Sequence, residues 1–243
     1  MAPPVIEMVG VARRYAGPAP LRLRQLAIAA GDRSVISGLD RGAAEMFVLL
    51  VTGAALPDEG VVRIEGRDTR EITTDTAWLS SLDRFGIVTE RAVLIERLSI
   101  QANLALPLTL SIDPLAADVR AKVEGLADEV RIAEGRLAAP ASSLSAEERV
   151  RVHLARALAL GPAMLLLEHP TAGLSGPAAR LALGDTVREV AERRGLGWVA
   201  LSDDEVFARG SRGSRQRLIP ATGEVAREPL WRRVAAGLRR RSG

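Results

Sequence analysis

Three short stretches carry residue types that could act on an anionic substrate. In Gly38-Leu39-Asp40-Arg41-Gly42, glycines precede the apolar run Ala43 to Thr52. A glycine-bearing loop that opens a helix presents backbone N–H groups to a phosphate. In Leu144-Ser145-Ala146-Glu147-Glu148, Ser145 and Glu148 have S-x-x-E spacing, at which hydroxyl and carboxylate cap a helix's first turn reciprocally. The carboxylates also suit the positive end of that helix. In Leu165-Leu166-Leu167-Glu168-His169, a carboxylate and an imidazole end an apolar run. Oxygen and imidazole ligands suit a divalent ion, and histidine can take a proton near neutral pH. A lone histidine after a buried strand is more often a structural hydrogen-bonder.

The elements that must position these groups alternate between strand and helix. Residues 5–11 and 23–29 are predicted as antiparallel strands around a turn at Gly17 to Pro20. Ser34 to Ser37 reads as a buried strand, Gly38 to Gly42 as a loop, and Ala43 to Thr52 as a helix. Strands follow at Val61 to Ile64 and Phe85 to Val88, and residues 90–136 turn helical, punctuated by Pro114 and Pro140. Arg149 to Leu160 reads as a helix with Val150, Leu154, Ala157 and Leu158 on one side. Ala163 to Leu167 is a strand, Ala178 to Arg194 a helix and Gly197 to Leu201 a strand. This alternation predicts an α/β core with a parallel central sheet. The expected organisation is a core of residues 1–89 and 138–226, an inserted helical subdomain at 90–137, and a basic tail at 227–243, itself a helix.

Composition narrows the function classes. The 243 residues are 47% hydrophobic and 26% charged, ordinary for a globular chain. Cysteine is absent, which excludes disulfides and thiolate metal sites and predicts a reducing compartment. No apolar run reaches the roughly 18 residues of a membrane span, and Met1 to Gly10 lacks a secretory layout. Net charge is +3, with arginine supplying every cation except Lys122. The basic segment after Trp231 reads as a solvated tail or as a segment near anionic lipid. No recognition helix or aromatic-interleaved basic strand points to nucleic acid.

Taken together, LSAEERVRVHLARALALGPAMLLLEHPTAGLS (144–175), the turn and strand LPDEGVVRIEG, and Tyr15 ahead of the glycine loop resemble an ATP-binding-cassette transporter nucleotide-binding domain. The resemblance runs from Val5 to Val225. It implies a P-loop NTPase-like core, ATP and Mg²⁺ as cofactors, and ATP hydrolysis as the activity. Tyr15 matches the aromatic that stacks on adenine.

The positions that would do the chemistry depart from the family pattern. In the phosphate loop Gly38 keeps the first glycine, Arg41 and Ala43 replace the next two around Gly42, Ala44 replaces the lysine, and Glu45 replaces the hydroxyl residue that holds Mg²⁺. A charge pair at about 4 Å is worth about 4 kcal/mol at an effective dielectric near 20. Even half of that exceeds the roughly 1.4 kcal/mol of a tenfold affinity change. Glu90 replaces the glutamine that senses the γ-phosphate, with Leu98, Ile100, Asn103, Leu106 and Pro107 keeping the spacing beyond it. Without a metal, a carboxylate at Glu90 is read as a surface or helix-capping group. The signature keeps Ser145, while Ala146 and Glu147 replace both glycines and Glu148 the glutamine. Glu168 stands at the metal-orienting acid and His169 at the carboxylate that polarises water. Ser175 replaces the acid of the next turn, and Asp203 replaces the switch histidine.

The resemblance therefore implies an accessory or pseudo-ATPase subunit, peripheral on the cytoplasmic face of the cell membrane. It would dock a permease through residues 90–137 and pair with itself or with another ATPase subunit. One alternative is a weak ATPase in which Glu45, Glu168 and His169 hold a divalent ion and Arg41 takes the lysine's part. Another is a soluble regulatory or binding module without a permease. The expected pocket lacks its cation and is lined with acids.

Overall fold

The structure, a computed structural model, describes residues 4–227. Two sheets organise the chain. The first is antiparallel, in the order β2 (Leu21–Ile28), β1 (Ile6–Arg13), β4 (Glu59–Ile64) and β5 (Arg67–Asp68). The second has six strands in the order β10 (Glu224–Arg227), β9 (Ser214–Ile219), β3 (Arg33–Ser37), β8 (Gly197–Leu201), β7 (Met164–Glu168) and β6 (Phe85–Val88). β9 through β6 run parallel, and β10 closes the edge antiparallel to β9. This is the α/β architecture with a parallel central sheet that the alternation predicts.

Strand residues alternate between two apolar layers, as a period of two requires. Leu165, Leu167, Trp198 and Ala200 face a cluster that includes α3 (Ile100–Ala105), α4 (Ala117–Glu129), α5 (Ala146–Leu158) and α6 (Pro177–Arg194). Met164, Leu166, Val199 and Leu201 face the other cluster. There α1 (Arg41–Val51) brings Phe47, Leu50 and Val51 between the two sheets. Because both faces are covered, β7 and β8 are buried at every residue and read as continuous apolar runs.

Local chemistry shifts several expected boundaries. The loop after β3 is shorter than predicted: α1 begins at Arg41, because Asp40 caps it by accepting the Ala43 N–H at 2.8 Å. At its other end α1 stops at Thr52, whose carbonyl accepts from the Trp78 indole at 3.0 Å. Trp78 lies on α2 (Asp75–Leu82), a helix with no buried residue and hence no apolar period to betray it. Helix α5 starts at Ala146, three residues earlier than expected, since the capping box at Ser145 forms. Its buried face is Val152, His153, Leu154, Ala155 and Leu158. Val150 and Ala157, expected on that face, are only half-buried. In the stretch expected to be helical, α3 and α4 are joined by turns around Pro114. Asn103 there is fully buried and ties down the loop before α3. It accepts from the Ile95 N–H at 2.8 Å and donates to the carbonyls of Ile95 and Ser99. The helix expected in the basic tail lies outside the described residues, apart from Arg227, which ends β10.

Candidate functional site

The parallel register brings the carboxyl ends of β3, β6, β7 and β8 to one edge of the sheet, where open α/β sheets place their ligands. The segments arriving there are Gly38 to Glu45, Thr89 to Arg91, Glu168 to His169 and Ser202 to Asp204. The candidates read from the sequence fall in all four of these segments, but the residue that joins them is not among those candidates.

That residue is Arg91. Its guanidinium forks onto Glu168, with Nε 3.2 Å from one carboxylate oxygen and Nη2 2.6 Å from the other. Its remaining nitrogen, Nη1, donates to Glu45 at 2.8 Å. The Glu168 side chain is 8% exposed, so its charge is desolvated and needs this partner. The hydrogen bond to Glu168, with its charge, holds the Arg91 pKa above the usual arginine value. The expectation of a pocket without a cation is thus corrected: a cation arrives from the loop after β6. One signal could have found it, since two acids converging beneath a loop demand a partner. Arg41 pairs instead with Glu90 of the same loop at 3.6 Å, both well exposed, a contact of little energy. Glu90 is therefore the surface group of the two expected alternatives, an exposed ion-pair partner at no described helix cap.

Three of the loop's N–H groups are also occupied from within. Asp203 accepts the Gly38 N–H at 2.8 Å, Asp40 accepts that of Ala43 through its side chain, and the Asp40 carbonyl accepts that of Ala44 at 2.9 Å. The other Asp40 oxygen receives the Tyr15 hydroxyl at 3.0 Å. Partial burial and the Asp40 carboxylate together raise the Tyr15 pKa. The Tyr15 ring lies on the loop itself. A Cβ at Gly42 would fall 2.8 Å from Tyr15 Cδ2 and Cε2, so Gly42 is small because the ring covers it. Gly38 has its own structural reason: φ is +88°, and a Cβ would meet the Leu218 carbonyl of β9 at 2.3 Å.

The remaining predicted residues stand apart. Ala43 and Ala44 are buried in the apolar layer. His169 has φ +41°, donates its N–H to the Leu201 carbonyl at 3.0 Å, and buries Nε2 without a partner. Among the described residues no three His, Asp or Glu side chains assemble as a metal site, which removes the triad of Glu45, Glu168 and His169. Ser175, before α6, is exposed. At the signature position, Glu148 accepts the Ser145 N–H at 2.9 Å while Ser145 Oγ accepts that of Glu148 at 3.2 Å. Arg136 forks onto the same carboxylate at 2.7 and 3.2 Å. Those bonds hold the Glu148 pKa down at about 2. Ala146 and Glu147 lie exposed on the first turn.

The profile described as ABC transporter matches residues 46–172, just over half of the chain. The chain belongs to the ABC transporter family. It is 30% identical over 215 residues to the macrolide export ATP-binding/permease protein MacB 1 of Aeromonas hydrophila, covering 86% of this chain and 32% of that one. It is 27% identical over 230 residues to the methionine import ATP-binding protein MetN of Brucella abortus, covering 94% and 61%. The chain thus spans about a third of the first of these relatives and about three fifths of the second. The ABC transporter ATP-binding protein YtrE of Bacillus subtilis is 28% identical over 187 residues, covering 76% and 79%. Among solved structures, cbiO1 from Clostridium perfringens, part of an ABC transporter complex, superposes with a TM-score of 0.77 at 18% identity, covering 96% and 91%. A dimeric ATP-binding cassette bound to ADP and Pi superposes at 0.73 and 21%, covering 91% and 98%. These two likenesses concern the fold.

ATP and Mg²⁺ are the cofactors this ABC family implies. The donor set here does not fit them. Ala44 offers no cation to a phosphate, Asp40 and Asp203 hold loop N–H groups, and Arg91 holds the two carboxylates a metal would need.

Proposed function

We propose that this chain is a non-hydrolytic ABC cassette, an accessory or pseudo-ATPase subunit that supports a transporter without turning over ATP at its own site. The observation that carries the reading is the internal use of two phosphate-loop N–H groups, those of Gly38 and Ala43. Asp40 and Asp203 accept them where a nucleotide's phosphates would, and Tyr15 lies across the loop on Asp40. A carboxylate already seated at a helix N-terminus opposes a second anion there by charge and by occupancy.

The partner in this reading is an integral-membrane permease, which places the chain peripherally on the inner face of the cell membrane. Residues 90–137 form the docking subdomain, set on the core of 1–89 and 138–226. Support comes from a groove of about 270 Å³ at the seam of the two, where Ala92 and Pro107 of the subdomain meet Phe85, Ile87, Arg156 and Leu160 of the core. Val93, next to Ala92 in the chain, is 76% exposed and Leu160 57%, apolar surface at the groove's margin that a partner would cover. Pairing of two cassettes, as in the dimeric neighbour, belongs to the same proposal. Among the described residues no helix is long and apolar enough to cross a membrane.

The test is equilibrium binding of Mg-ATP to the purified chain together with phosphate release. The expected result is no saturable binding at micromolar nucleotide and no turnover. Micromolar binding with turnover would overturn the reading, and co-purification with a permease after detergent extraction tests the partner.

A further inference from the structure

We propose that the Arg91 guanidinium is the resident cation of this cassette, standing between Glu45 and Glu168 as a metal-independent clasp, and that its removal uncovers a divalent-cation site. This deepens the non-hydrolytic reading and rests on it. Three segments far apart in the chain meet at one planar group: the first turn of α1, the loop after β6 and the end of β7. All three guanidinium nitrogens are engaged, Nε and Nη2 by Glu168 and Nη1 by Glu45. Two carboxylates brought this close repel each other unless a cation lies between them. Arginine supplies that charge permanently, with a fork that matches a carboxylate, whereas lysine offers a single point charge.

The clasp excludes a divalent ion in two ways. It fills the space between the acids, and it sets a positive charge within hydrogen-bond distance of both. Remove it, and Glu45 and Glu168 remain as the pair of oxygen ligands on which a small hard cation commonly rests, with water completing its shell. Charge balance points the same way, since Glu168 is desolvated and cannot stand uncompensated.

The experiment uses the full chain, without nucleotide, and Mn²⁺ as the probe. Wild type is expected to bind no Mn²⁺ in a spin-resonance titration and to melt at the same temperature in Mn²⁺ and in EDTA. Arg91→Gln should melt lower in EDTA, gain a single saturable Mn²⁺ site, and recover its melting temperature when that site fills. Arg91→Gln combined with Glu168→Gln should lose the Mn²⁺ site again. A wild-type Mn²⁺ site that Glu168→Gln abolishes would overturn the proposal, as would an Arg91→Gln protein with unchanged melting and no response to Mn²⁺. If that variant does not fold, wild type alone decides by NMR. Amide signals of Glu45, Arg91 and His169 should stay sharp in Mn²⁺, and selective broadening of these three sinks the clasp. Tight Mg-ATP binding in the separate nucleotide assay would overturn the functional reading while leaving the Mn²⁺ results to judge the clasp.

Discussion

Helices α1 and α5 both begin where an ABC cassette would be expected to meet phosphate, and both begin closed. They are closed differently. At α5 the closure is local, with Ser145 and Glu148 exchanging bonds three residues apart and Arg136 bracing the carboxylate. At α1 only Asp40 is local. Arg91 reaches Glu45 across 46 positions and Glu168 across 77, and Asp203 reaches Gly38 across 165. A local closure travels with its own helix, whereas the α1 closure exists only once the sheet has assembled.

The contrast can be broken most forcefully at Gly38. Its positive φ and the Leu218 carbonyl in the way predict that Gly38→Ala costs about 4 kcal/mol, read by urea unfolding. A much smaller loss would mean that β9 is not seated against the loop. The next effect sharpens the comparison from the α5 side by pH. His153 is 7% exposed, leaves Nδ1 unpartnered, and has its pKa lowered to about 4 by burial, then by Arg156 and Arg149. Its unfolded pKa is higher, so the unfolded chain takes up the proton first as pH falls. Stability should therefore drop between pH 6.5 and 4, by about 3 kcal/mol from this group. His153→Leu should flatten that limb in a series of urea midpoints. Glu148 has the opposite sign of charge. Its bonds are fully present above pH 4.5 and fade toward pH 2, so its limb should persist in the variant.

Asp40→Ala removes both the α1 cap and the Tyr15 partner and should cost about 2 kcal/mol. Tyr15→Phe tests the second part alone, at about 1 kcal/mol or less. Ser145→Ala should likewise cost only about 1 kcal/mol, because Glu148 keeps Arg136 and the Ser145 N–H. Equal losses at Asp40 and Ser145 would erase the distinction between the two closures.

The same distinction explains what could be read from residues alone. The buried strands Met164–Glu168 and Gly197–Leu201 are legible because continuous apolar runs leave few alternatives. The cap at Ser145 is legible because its partner sits three residues on. Arg91 is one of 33 cationic residues, and nothing beside it marks it out; only the parallel register delivers it to Glu45 and Glu168. Gly38 shows the converse limit. A glycine in a phosphate-loop pattern is also a glycine that a neighbouring strand requires, and only the approach of Leu218 separates these two causes.

The bond between the Trp78 indole and the Thr52 carbonyl gives this chain an optical handle. Trp78 touches the tail end of α1, while Trp198 is fully buried, edge-to-face with Phe207 at 6.5 Å. Displacing α1 should thus tint the emission of Trp78 and leave that of Trp198 dark to the event, so that, once Trp231 is replaced by phenylalanine, fluorescence can watch the phosphate-loop helix without any added dye.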